Sequence, residues 1–261
     1  RGIYLKHRAS SESKLALSNE LADSEKYLSR QLGVYDSCFI CSKLNAVRPD
    51  TADVVRTLFG AVQSEKPTEE PFRIAFVTGK QANAAFERFA KYLGTVSAVG
   101  VESFSDACDA ASEGEADYCI VPLENSSEGR LDGFYNAIGK SGLYPVLGCR
   151  LSDGYEYTRF ALCCRTPGFI AAEGETIMQI RITAGSVNDM TDILTAAEFF
   201  GASAKRLDTI PLSAAGRENS LDLVFGVSDA DAAGFITFLR FEYPQFYLFG
   251  IYTDVGEGEG K

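Results

Sequence analysis

Apolar and polar positions along this chain keep three rhythms, and each predicts a different kind of unit. In "SSESKLALSNELADSEKYLSRQL" a Ser and a Glu at capping-box spacing precede Leu15, Leu21 and Leu28 on roughly one face. "RPDTADVVRTLFGAVQSE" then sets Val54, Val55, Leu58 and Val62 at helical spacing, behind Pro49 and an Asp50 or Thr51 cap. The segment 1–68 is therefore expected to be helical, with the polar stretch "SEKPTEEP" as its linker to the next unit.

From Phe72 the rhythm changes. "FRIAFVTG", "VSAVGVES" and "ADYCIVPLE" are short apolar runs that read as strands. Between them, "NAAFERFAKYLG" is an amphipathic helix closed by Gly94, and "SFSDACDAASEGE" is a helix capped by Ser103 or Ser105. That order predicts a parallel sheet with helices packed on it. A helix at "LDGFYNAIGKSG" and strands at "LYPVLGCRLS" and "EYTRFALCCR" complete an α/β unit over 69–167. After "TPGFIAAEGE" the order becomes βαββαβ over 175–255, an α+β unit with an antiparallel sheet and two helices on one face.

Composition narrows the partners. At 261 residues and 46% hydrophobic, the chain can bury one large core or two or three smaller ones. A net charge of −11, with no stretch that concentrates Lys and Arg, disfavours nucleic acid and anionic membranes. There is no apolar run of the ~18 residues a membrane span needs and no charged-then-apolar leader, so a cytoplasmic protein is expected. The seven Cys sit mostly inside apolar runs, as reduced thiols do. Cys38 and Cys41 form a C-x-x-C, but with His7 the single histidine and no second such pair, a zinc site lacks ligands. They read as two Cys on a helix face, and the adjacent Cys163 and Cys164 as packing on opposite faces of a strand. No metal or cofactor is expected, and the partner is a small molecule or another protein chain.

The candidate chemistry lies at strand ends. "VPLENSSEG" ends the third strand of the middle unit and precedes a helix, where ligands of open parallel sheets bind. Asn125, Ser126 and Ser127 offer hydrogen-bond donors to an anion, and they equally suit a turn and a helix cap. Both readings stand at this level. In "YEYTRFALCC", Thr158 and Arg159 place a hydroxyl and a guanidinium on opposite faces of a strand.

A strand ending in "VPLENSSEG", a later "YTRFALC" strand and a βαββαβ unit together resemble the prephenate dehydratase family with its C-terminal ACT domain. "RTLFGAVQSEKPTEEPFRIAFVTG" and "ELADSEKYLSRQLGVYD" extend the resemblance to the bifunctional chorismate mutase/prephenate dehydratase arrangement. It implies loss of water and carbon dioxide from prephenate to give phenylpyruvate, in phenylalanine biosynthesis. It implies Thr158 as the group at the departing hydroxyl. Substrate contacts would fall at Glu124, Asn125 and Ser126, at Arg159 and Phe160, and at Thr78. Phenylalanine would bind the ACT-like unit at Gly185, Ser186 and Val187 and at Asp208 and Thr209, and that unit would pair two copies of the chain.

The chain also departs from the family pattern. The family's G-P-x-G-T-F-S loop is replaced by "VTGKQANAAF", with Ala82 and Ala84 near the Thr and Ser positions. Ser126 and Thr158 are too close in sequence to hold the family's second lobe, which closes the cleft over the substrate. The mutase-like segment continues "VYDSCFICSKL" in place of its Arg-Glu pair. "LDTIPL" has Ile210 where the family's effector turn has Arg. Two functions are consistent with this pattern: a dehydratase with weakened or lost activity, or a catalytically inert ACT-type protein that senses an aromatic amino acid and dimerises.

Overall fold

The computed structural model describes residues 32–43, 70–184, 187–211 and 219–259. The helices expected around Leu15 to Leu28 and Val54 to Val62 lie outside these residues. Helix α1 spans 32–43 and buries Val34, Cys38 and Cys41 on one face at i, i+4 and i+7 spacing. Those three side chains join the core of the C-terminal unit, and Tyr35 meets the Phe199 ring at 6.0 Å. Burial pushes the Cys38 thiol up to about 12 and the Cys41 thiol up as well, as inert packing thiols require.

The middle unit runs β1 (Phe72–Val77), α2 (Lys80–Ala90), β2 (Val96–Val101), α3 (Phe104–Glu113), β3 (Tyr118–Asn125), β4 (Gly129–Arg130), α4 (Asp132–Lys140), β5 (Tyr144–Asp153) and β6 (Glu156–Cys164). The C-terminal unit runs β7 (Glu175–Ala184), α5 (Val187–Phe199), β8 (Ser203–Pro211), β9 (Asn219–Gly226), α6 (Ala232–Glu242) and β10 (Tyr247–Glu259). Local signals act where they are strong. Ser103 caps α3 in a full capping box with Asp106, and Gly114 closes it in the left-handed region at φ 85°.

The strands form one mixed sheet in the order β2-β1-β3-β6-β5-β10-β7-β9-β8, with β4 on the end of β3. Only β2-β1-β3 is parallel in the way the alternating strand and helix pattern predicts. β5 and β6 are an antiparallel hairpin closed at Gly154 and Tyr155, and β6 lies antiparallel to β3. Two residues cannot carry a crossover, so the hairpin sets the direction. In the C-terminal unit the order β10-β7-β9-β8 is antiparallel throughout.

β10 joins the two units. One edge pairs antiparallel with β7, and residues Thr253 to Glu259 pair parallel with β5. Two glycines make this seam possible. A Cβ on Gly148 would stand 2.9 Å from the Tyr252 ring, and one on Gly174 would collide with the Asp254 carbonyl oxygen.

Three main cores result. α2 packs on Ile74, Phe76, Ile120, Leu147, Phe160 and Leu162. α3 and α4 cover the other sheet face over Ala75, Cys119, Val121, Leu123, Ala161 and Cys163. α5 and α6 pack on Met178, Ile180, Leu223, Phe225 and Ile251. Cys163 and Cys164 do fall in different cores, on opposite faces of β6.

Candidate functional site

The polar stretch after β3 is a tight hairpin. Glu124 pairs with Arg130 and Asn125 with Gly129, so the chain folds back on itself before α4 begins. The sequence predicts a strand running straight into a helix; the structure inserts β4 between them. Asn125 drives this turn. Its Oδ1 accepts from Ser127 N at 3.1 Å, Ser127 Oγ at 3.0 Å and Glu128 N at 2.6 Å. Gly129, at φ 71°, supplies the left-handed step that closes it. Ser126 holds the turn to β6: its N–H donates to Tyr157 O at 2.9 Å, and its Oγ accepts from Tyr157 N at 3.1 Å.

Asn125 stands directly opposite Thr158 across β3 and β6. On this face Thr158 Oγ1 donates to Gln81 Oε1 at 2.6 Å, from the first turn of α2. Gln81 was not among the residues singled out in the sequence. It sits inside "VTGKQANAAF", next to Ala82. Thr78 is exposed at the end of β1, and Phe160 is buried in the core beneath α2, away from any open surface. These strand ends thus carry a hydroxyl, two amides and a Ser in one place.

Glu124 and Arg159 form the pair next to Asn125 and Thr158, so strand alternation sets both on the other face, with a register shift on β3 between Pro122 and Glu124. There they meet the C-terminal unit. Glu124 accepts from Tyr157 Oη at 2.6 Å and pairs with Arg206, while Arg159 pairs with Asp254. Arg206 also donates to Tyr135 Oη at 3.2 Å and lies 2.9 Å from Asp208. The bond to Glu124 pushes the Tyr157 phenol up and keeps it a donor. For Arg159, burial acts downward, but Asp254 and its neighbours outweigh it and leave the guanidinium above its ordinary value.

Behind this face is a buried ion cluster. Asp208 and Asp222 oppose one another on β8 and β9, an unfavourable juxtaposition unless cations intervene. Arg130 does intervene, 2.9 Å from Asp222, 3.9 Å from Asp208 and 2.6 Å from Asp132, with its guanidinium 3.6 Å from the Tyr135 ring centroid. Asp222 also accepts from Gln179 Nε2 at 2.6 Å and Arg181 Nη2 at 3.2 Å. It is 1% exposed. A cavity of about 280 Å³ opens beside the cluster, lined by Glu124, Arg159, Lys205, Arg206 and Asp254 over Ile177, Val224 and Tyr252.

Of the effector positions expected in the C-terminal unit, Gly185 and Ser186 lie outside the described residues and Val187 opens α5. Asp208 is in the ion cluster, and Thr209 is exposed. Among the described residues no group of His, Cys, Asp and Glu is arranged to hold a metal ion. No described helix is long and apolar enough to cross a membrane.

The fold is a mixed sheet clad by helices on both faces, joined to an antiparallel βαββαβ unit. Residues 80–151 match the sequence model of the prephenate dehydratase family, a span that contains Asn125 and Ser126 and stops short of Thr158. No curated protein matches the chain. Among solved structures, the prephenate dehydratase from Streptococcus mutans aligns with 70% of this chain and 98% of its own, at 17% identity and a TM-score of 0.57. The prephenate dehydratase from Arthrobacter aurescens, solved in complex with L-Phe, covers 69% of this chain and 89% of its own at 13% identity and a TM-score of 0.53. GqqA, described as a novel type of quorum quenching acylase, covers 69% and 94% at 19% identity and a TM-score of 0.54. At such identities these likenesses establish the fold.

Proposed function

We propose that this chain is a shortened prephenate-dehydratase-family protein of phenylalanine biosynthesis, taking prephenate at the paired ends of β3 and β6. The observation that carries this reading is the direct opposition of Asn125 and Thr158, within a fold and a sequence span similar to that family. In the reaction the ring carboxylate leaves as carbon dioxide, its electron pair completes the aromatic ring, and the ring hydroxyl departs as water once it gains a proton. Thr158 is the group at the departing hydroxyl. A neutral hydroxyl is a weak acid, so it acts through position. Gln81 holds its single O–H in the free protein, that donor turns to the departing hydroxyl when prephenate is bound, and the proton that completes the water comes from solvent. The Asn125 amide spends its oxygen on the turn and keeps its NH₂ for a substrate carboxylate.

A second reading has its own observation. Asn125, Ser126, Glu124 and Arg159 are each committed to partners within the chain. That pattern favours an inert protein whose C-terminal unit is an ACT-type module, sensing an aromatic amino acid and dimerising through its edge strand β8. One assay separates the two. Phenylpyruvate formation from prephenate that is lost in Thr158→Ala supports the enzyme. Absence of turnover, together with a phenylalanine-dependent rise in Tm, overturns it in favour of the regulator.

A further inference from the structure

The cavity between the two units has the composition of a binding site in its own right. Its volume of about 280 Å³ lies near the lower end of small-ligand pockets, which begin at about 300 Å³. That room suits a molecule of amino-acid size and excludes a nucleotide. The floor is apolar: Ile177, Val224 and Tyr252 form a small buried cluster apart from the three main cores. Around it stand three ion pairs, Arg206 with Glu124, Arg159 with Asp254, and Lys205 with Glu175 at 2.8 Å.

Two properties of this ring select the ligand. The cations and anions balance, so a lone anion or cation would leave an uncompensated charge in a half-enclosed space, whereas a zwitterion brings one of each. Arg159 lines the cavity and keeps Nε buried without a protein partner, so an acceptor that reached it would offset its desolvation. Burial holds the Tyr252 phenol well above its ordinary range, so it stays neutral beside that acceptor.

We propose that this cavity binds an apolar α-amino acid, with its carboxylate on Arg159 and Arg206, its ammonium toward Glu175 and Asp254, and its side chain on Ile177, Val224 and Tyr252. The site goes beyond the dehydratase reading and does not depend on it. It occupies the sheet face opposite Thr158 and uses none of residues 185–187. A ligand seated there touches both units and stabilises them together.

The test is calorimetric titration of the full chain with L-valine, L-leucine and L-phenylalanine, each beside its 2-oxo acid and its decarboxylated amine. At least one amino acid should bind, and its oxo acid and amine at least tenfold more weakly. Val224→Phe, which fills the floor, should abolish binding, and the half-exposed Glu175→Gln, which spares the fold, should weaken it at least tenfold. Thr158→Ala should bind as the parent does. The proposal falls if no amino acid binds at millimolar concentration, or if the oxo acid binds as tightly. It also falls if binding persists in both Val224→Phe and Glu175→Gln or vanishes in Thr158→Ala. Phenylalanine binding that Gly185→Val removes and Glu175→Gln leaves intact would assign the ligand to the ACT-type site instead.

Discussion

The two faces of the β3–β6 junction differ in kind although they share a few consecutive residues. On one, Asn125, Ser126 and Thr158 present neutral groups at open strand ends, held by bonds to Glu128, Tyr157 and Gln81, all within the middle unit. On the other, Glu124 and Arg159 are charged, sheltered and tied to residues of the C-terminal unit far along the chain. A motif that reads in sequence as one site is therefore two sites in space. The neutral face presents open polar groups at the strand ends, and the charged face joins the two units.

The sharpest way to break this contrast is at its most buried charge. Asp222→Ala leaves Arg130 and Arg181 without their shared carboxylate and should cost about 3–5 kcal/mol in urea or thermal unfolding. If charge balance rather than packing is at stake, the paired change Arg130→Met with Asp222→Leu should recover much of that loss. A single Asp222→Ala loss below about 1 kcal/mol would mean that the cluster is solvated and contributes little to holding the units together.

Next in size is Glu124→Gln, which weakens the bonds to Arg206 and Tyr157 and should cost about 2 kcal/mol by the same measurement. Asn125→Ala removes the acceptor of three turn bonds and should cost about 1–2 kcal/mol. The comparison sharpens in how the two losses distribute. Hydrogen exchange in Glu124→Gln should rise on both units, while in Asn125→Ala it should rise only around the β3–β4 turn.

The sequence carried some of this picture and not the rest. Ser103 as a cap, Gly201 just past the end of α5, and the βαββαβ order are encoded within a few residues of where they act, so they could be read directly, whereas α2 ends at Ala90 rather than at Gly94. Thr158 and Arg159 on opposite faces followed from strand alternation. Asp222 could not be read that way. In "NSLDLVFG" alternation puts Leu221 and Leu223 inward and Asp222 outward, and there Asp222 is buried between Gln179 and Arg181 of β7 and Arg130 of the other unit. The β4 hairpin was hidden for a different reason: Asn, Ser and Gly satisfy a helix cap and a tight turn equally well. The pairing of β10 with β5 joins segments distant in sequence, and no local pattern announces it.

The smallest effect is predicted for an ion pair that resembles the buried ones in distance and differs in setting. Lys80 Nζ lies 2.8 Å from Asp153 Oδ2, joining the start of α2 to the end of β5, with the side chains 59% and 48% exposed. Arg130 and Asp222 are 2.9 Å apart with side chains 8% and 1% exposed. Coulomb's law at equal distance makes the two alike only if the medium is alike, and here water and salt screen the first pair. Lys80→Ala should therefore change stability by no more than about 0.5 kcal/mol, and raising the salt concentration should erase even that. A cost comparable to Asp222→Ala would mean that distance, rather than shelter from water, decides what these pairs contribute, and the division between the two faces would lose its physical basis.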